Sequence, residues 1–354
     1  MIPIFVASNT GFAGRTFVSL GLALKLRDMD YKVGVMQPFG TVPVKSGKSV
    51  YDADALFFKE TLDLKEPLDV ISPFVMSYEE QMLLYQGKAV DAKKRVLAAF
   101  KSFKKKDFII ICGASDLFEG ALLGIDALSL AEDLKAQVLM VEPWRGDSSA
   151  DALFGARAIL GKRYAGGVIN KVPEAMIEHV KNIVKPFIEK KGVPVFGVIP
   201  KDKFLESVTV GQLNEILNGN VLCCEDKLDE FVENFLIGAM DVDSALNYFR
   251  RTVNKAVITG AHRTDIQLAA LETSTKCIIL TGGFRTNEVV LDKARVRGVP
   301  ILTVADDTFS AINKIELRMG KSSIREKRKI ERATELISAG FDMFGFLQKV
   351  SSSK

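Results

Sequence analysis

Gly14, Arg15 and Thr16 have the types and order of a site that holds phosphate. They close the segment Ser8-Asn-Thr-Gly-Phe-Ala-Gly-Arg-Thr16, which lies between the apolar run Met1–Ala7 and the apolar-periodic stretch that begins at Phe17. Strand, glycine turn and helix in that order aim backbone N–H groups and the positive end of a helix dipole at an anion. Against the pattern G-x-x-x-x-G-K-[ST], Gly14 and Thr16 stand in place, Asn9 replaces the first glycine and Arg15 replaces the lysine. The candidate phosphate-binding residues are Thr10, Gly11, Gly14, Arg15 and Thr16, with the Thr16 hydroxyl also a ligand for Mg²⁺. An arginine fork is not equivalent to a lysine point charge. The competing reading is a tight strand-to-helix turn built from small residues.

Other candidates fall in segments that follow apolar runs. Asp52 and Asp54 read equally as Mg²⁺ ligands beside phosphate and as the start of a helix. The run Phe108–Cys112 ends in a thiol where nucleotide hydrolases commonly carry an acid, and a thiol holds a hard cation poorly. Asp116 lies on the loop beyond. Asn170-Lys171 closes another run and has the chemistry to read a purine edge, although the pair is also common in turns. Further on, His262, Arg263, Thr264 and Asp265 precede a helix, and Thr281, Gly282 and Gly283 follow a strand. Two such loops at neighbouring strand ends suit a small-ligand pocket; ordinary turn chemistry is the alternative.

These residues need a scaffold of strands covered on both faces. The runs Pro3–Ala7, Lys32–Met36, Phe108–Cys112, Gln137–Glu142, Gly166–Asn170 and Pro194–Ile199 are short and continuously apolar. Helical patterns separate them: Arg15–Arg27, Tyr78–Tyr85, Lys88–Phe103, Ile125–Leu134, Ser148–Leu160 and Pro173–Lys190. The reading is a doubly wound α/β fold with a mostly parallel sheet, with ligands at the carboxyl ends of the strands. The turn Asn218-Gly-Asn220 marks a boundary, so domains are expected at 1–217, 218–322 and, as a terminal helix and tail, 323–354. The middle domain reads as a smaller α/β unit. Its expected strands are Val221–Cys224, Lys255–Thr259, Cys277–Leu280 and Ile301–Val304. Its expected helices are Asp226–Ala239, Val242–Arg251, Asp265–Thr273, Glu288–Arg297 and Thr308–Met319. A terminal helix is expected at Ile324–Ser338, with a frayed tail at Ser351–Lys354.

Composition excludes several classes. The 354 residues carry 48 basic and 44 acidic side chains, and the segment 314–332 alone holds eight basic against three acidic. No broad basic surface for nucleic acid is expected. Two histidines, His179 and His262, argue against a His-based zinc site or a Ser-His-Asp hydrolase. Four cysteines without metal spacing, no signal peptide and no membrane-length apolar stretch read as a cytoplasmic protein with reduced thiols.

The chain resembles the non-catalytic N-terminal region of long-form phosphate acetyltransferases, a dethiobiotin-synthetase-like P-loop domain joined to a DRTGG-type domain. The matching stretches are Gly14–Lys25, Phe74–Tyr78, Gly167–Lys171, Phe196–Pro200, Thr209–Leu213, Asn254–Thr259, Arg263–Leu271 and Leu280–Gly283. The family's acyltransferase domain would follow, so acetyl transfer is not expected of this chain. His262 stands where the DRTGG pattern has aspartate. Dethiobiotin synthetases would carry lysines at Arg15 and Gln37 and an acid near Cys112. Losing these removes charges on which phosphoryl transfer relies.

The resemblance therefore implies a regulatory protein that binds a nucleotide such as ATP, or another phosphorylated small molecule, with Mg²⁺. It also implies a homo-oligomer formed through the second domain, or action on an enzyme of acyl metabolism. The alternatives are an ATP- and Mg-dependent ligase of the dethiobiotin synthetase or cobyrinate amidase type, and a vestigial loop that binds nothing.

Overall fold

The computed structural model describes residues 1–46, 49–88, 90–283, 286–319 and 326–352. The chain divides into two compact units, Met1–Lys201 with Ile324–Lys354, and Asp202–Ser323. The expected boundary at 217/218 is thus displaced. The helix Val210–Leu217 falls in the second unit, where Val210, Leu213 and Leu217 share a core with Ala256, Ile279 and Leu302.

The strands of the first unit are β1 (Ile2–Ala7), β2 (Val33–Met36), β3 (Pro43–Ser46), β4 (Ser49–Asp52), β5 (Phe108–Cys112), β6 (Gln137–Pro143), β7 (Tyr164–Val172) and β8 (Val195–Pro200). Six of them form one sheet in the order β2-β5-β1-β6-β7-β8, every pair parallel. The continuous apolar runs have the expected cause: β2 and β5 are buried at every position because helices cover both faces. β1 lies between β5 and β6, so the chain leaves it toward one edge and later returns to its other side. The crevice at such a reversal is where open α/β sheets bind ligands.

β3 and β4 pair as an antiparallel hairpin in the stretch leading from β2 to Asp52 and Asp54; Gly47 and Lys48 lie outside the described residues. Helix α1 (Arg15–Asp28) follows β1, and α2 (Ala53–Thr61) follows β4. Of the expected helix Lys88–Phe103, Ala92–Ser102 is helical and Ala89 lies outside the described residues. Residues 174–190 are helical but interrupted by a π turn at Val180–Val184.

The expected terminal helix is Lys327–Gly340, with 324 and 325 outside the described residues. It belongs to the first unit, where it packs on α1 and β8. A Cβ on Gly21 of α1 would overlap Ile337, so these helices meet almost backbone to side chain. A second helix, Met343–Ser352, lies mostly in a stretch for which the sequence predicts no element and takes in Ser351 and Ser352 of the expected tail; its Phe346 and Val350 are buried. Ser353 and Lys354 lie outside the described residues.

The second unit holds β9 (Val208–Thr209), β10 (Asn220–Cys223), β11 (Phe231–Val232), β12 (Asn234–Ile237), β13 (Lys255–Gly260), β14 (Thr275–Thr281) and β15 (Ile301–Thr303). Five form a sheet ordered β10-β15-β14-β13-β12, parallel except for β10 against β15, and β9 pairs with β11. The expected helix Asp226–Ala239 is overturned here. Its apolar residues suit either period, and long-range pairing decides: β12 adds to the sheet edge beside β13 while β11 joins β9.

Lys255 opens β13 fully buried, its ammonium donating to Thr252 O at 3.1 Å and Ser274 O at 2.9 Å. Burial lowers its pKa to about 8. The unfolded chain keeps that proton to higher pH, so between about 8 and 10.5 the unfolded state binds more protons and stability from this group rises with pH. Urea unfolding is therefore expected to show an alkaline gain in the wild type that Lys255→Met lacks; parallel pH profiles for the two proteins would refute it.

Candidate functional site

Gly14 caps α1 in the left-handed region, at φ +96°. A Cβ there would also overlap the Asn170 amide, so both conformation and space demand glycine. Asn170 is buried near the end of β7, and its Nδ2 donates to Ala13 O at 2.8 Å. The loop is secured elsewhere too. The Ser8 hydroxyl reaches Thr10 O at 2.7 Å and Ser115 O at 3.2 Å, and Asn9 Nδ2 donates to Ala152 O at 3.0 Å. Among the described residues, no group accepts the backbone N–H of any residue from Gly11 to Phe17. A fixed turn with that many unused donors is organised for an anion.

Thr16 Oγ1 donates to Asp54 Oδ2 at 2.9 Å, so the first turns of α1 and α2 bring together a hydroxyl and a carboxylate. These hard oxygen donors fit Mg²⁺. Asp52 is differently employed. One of its oxygens accepts Asp54 N at 2.8 Å as the cap of α2, and the other accepts Thr41 N at 2.8 Å and Val42 N at 2.9 Å. Burial and then the Asp54 charge raise its pKa, against the pull of those three N–H groups. Of the two readings for this pair, the geometry makes Asp52 the helix cap and leaves Asp54 facing Thr16.

Arg15 is half-buried, and its Nη1 donates to Gly113 O at 2.9 Å, just past β5. Its Nε is buried without a partner. Desolvation lowers its pKa, opposed by Cys112, Glu119, Asp54 and Asp116. Cys112 is buried at the end of β5, and burial pushes its thiol up to about 11 despite Arg15, so it is neutral at physiological pH. Asp116 accepts the Phe118 and Glu119 N–H groups at 2.8 and 2.9 Å within its own loop. Gln37, also buried, donates to Phe39 O at 3.3 Å while its Oε1 has no partner.

Two residues near the loop escaped the sequence reading. Phe12 is half-exposed at φ +57°, a left-handed conformation that bulky residues rarely adopt. Glu142 is fully buried at the end of β6, ion-paired with Arg145, its pKa raised by burial against Arg145 and Asn9. A lone acid inside an apolar run was the available signal. Lys171 sits at φ +56°, immediately after the Asn170 lock.

In the second unit, β13 and β14 are neighbours, so the loops carrying His262–Asp265 and Thr281–Gly283 do emerge side by side. Their polar groups are largely committed. Arg263 makes a two-point pair with Asp265, both bonds 2.9 Å, and donates to Met240 O. Thr281 meets Thr308 at 2.9 Å. Gly282 and Gly283 donate to Asp306 O and Val304 O. Thr264 begins the helix Thr264–Leu271, and His262 is exposed. Gln267, not anticipated from sequence, is fully buried and bonds Gly260 O, Ala261 O and the Thr286 hydroxyl.

Among the described residues no three His, Cys, Asp or Glu side chains form a metal cluster, and no helix is long and apolar enough to cross a membrane.

Comparison with known proteins agrees with this architecture. The AAA domain family matches residues 3–209, and the DRTGG domain matches residues 212–317. A phosphate acetyltransferase of Nitratidesulfovibrio vulgaris is 23% identical over 96% of this chain and 50% of its own length. The ATP-dependent dethiobiotin synthetase BioD of Nitrosopumilus maritimus is 25% identical over 62% of this chain and 97% of its own. Among solved structures, the MinD cell division protein of Aquifex aeolicus is similar over 57% of this chain and 83% of its own, with 16% identity and a TM-score of 0.36. The chain spans about half the length of the phosphate acetyltransferases it matches. By the family match over more than half its length, the chain belongs to the AAA domain family, with a DRTGG domain following the P-loop domain.

Proposed function

We propose that the chain is a regulatory protein that binds a nucleotide or another phosphorylated metabolite with Mg²⁺ and turns ATP over inefficiently if at all. The observation that carries this is the neutral, buried thiol of Cys112 at the end of β5, beside a phosphate turn whose anchors and N–H donors are in place. Thr10, Gly11, Gly14 and Thr16 form the phosphate turn with Arg15 behind it. Thr16 and Asp54 hold the cation, and Asp52 shapes the hairpin that presents Asp54. Asn170 and Lys171 are the candidates for the base, with Asn170 also holding Ala13. The loops at His262–Asp265 and Thr281–Gly283 are a second candidate pocket. Assembly through the second unit, action on an enzyme of acyl metabolism and a cytoplasmic location with four free thiols complete the proposal.

The retained Thr16–Asp54 pair favours one alternative, an ATP-dependent ligase of the dethiobiotin synthetase or cobyrinate amidase type. Titration calorimetry with Mg·ATP, Mg·ADP and AMP, with ADP release followed in the same samples, separates the two. Binding without ADP release is expected. ADP release that disappears in Thr16→Ala would establish the ligase reading instead.

A further inference from the structure

The position of Arg15 bears on which phosphates the turn can read. In the consensus loop the residue at this place reaches the outer phosphates as a cation. Here the guanidinium is tied to the loop that follows β5. Nη1 is bound to Gly113 O beyond β5, and Nε is buried with no partner. Glu119, Asp54 and Asp116 surround it electrostatically and favour its charge where it lies. Swinging forward would break the Gly113 bond. The strand next to β5 offers no replacement. Gln37, which follows β2, is neutral, buried and bound to Phe39 O.

We infer that the turn recognises a diphosphate and leaves a third phosphate without the cation that the consensus lysine supplies, so a nucleoside diphosphate binds at least as tightly as the triphosphate. This rests on the nucleotide reading above. The inner phosphates are served by the backbone donors of residues 11–17 and by Thr16, none of which depends on where the Arg15 guanidinium points. The third phosphate gains no charge-assisted bond, and such bonds are worth about 1.5–3 kcal/mol, roughly 10- to 100-fold in affinity.

The test is competition titration of the full chain with Mg·ADP and Mg·ATP. The expected result is a Kd for ADP equal to or below that for ATP. Arg15→Ala should change both affinities alike, within roughly twofold, and Arg15→Lys should improve ATP relative to ADP by about tenfold. ATP binding about tenfold or more tightly than ADP to the wild type overturns the inference while leaving the nucleotide reading intact. Binding of neither overturns both. The wild-type ratio decides the matter even where an Arg15 variant fails to fold.

Discussion

Gly14→Ala is expected to remove measurable nucleotide binding and to lower the unfolding midpoint of the first unit. Two costs coincide. Alanine at φ +96° is strained, which costs more than about 1 kcal/mol, and its methyl group would overlap the Asn170 amide. Relief of that overlap displaces Asn170 from Ala13 O and releases the loop from β7. Asn170→Ala alone leaves the Ala13 carbonyl without its donor and should cost roughly 1–3 kcal/mol. In the double variant the steric conflict is gone, so the two destabilisations should sum to more than the double variant shows. Additivity in urea titrations would refute the account of Gly14 and Asn170 as one coupled unit.

The second large effect concerns residues far from the phosphate turn. Removal of residues 324–354 is expected to unfold the first unit, abolishing its cooperative thermal transition and nucleotide binding together. Leu336, Ile337, Phe341, Phe346 and Val350 are all buried there. Five such side chains contribute about 7–15 kcal/mol of apolar burial, comparable to the whole stability of a domain, about 5–15 kcal/mol. Their loss would also uncover α1 opposite Gly21 and the β8 edge, where Phe196 packs against Phe341 and Phe346. A truncated chain that retained wild-type near-UV dichroism and affinity would contradict this. Gly21→Leu should reproduce part of the defect by forcing the helix at Ile337 away from α1.

The sheet was legible because continuous apolar runs bounded by turn residues have few other uses. The helices Tyr78–Tyr85, Ser148–Leu160, Val242–Arg251 and Glu288–Arg297 appear at the expected residues because their ends carry capping and turn residues. Asp226–Ala239 was misread because its apolar spacing fits two periods, and the neighbour that decides between them lies some twenty residues further along, in β13. The phosphate turn could be read as a motif. What each member does could not, because side-chain direction is set by partners distant in sequence: Gly113 for Arg15, Ala13 for Asn170, and Thr41 and Val42 for Asp52. Gln267 was invisible for the same reason, being an ordinary helix residue until the Gly260 and Ala261 carbonyls meet it.

The return of the final helices to the first unit makes the second unit an insertion rather than an appendage. A domain hung on one linker can swivel freely and is released by a single cut. One strung between two crossings of the same scaffold is a closed loop. Both its ends are joined to that scaffold, so unfolding it while its host stays folded yields a constrained ring of lower entropy than a free chain. A protease that nicks one crossing would leave a complex that still migrates as one particle under native conditions and separates only in denaturant.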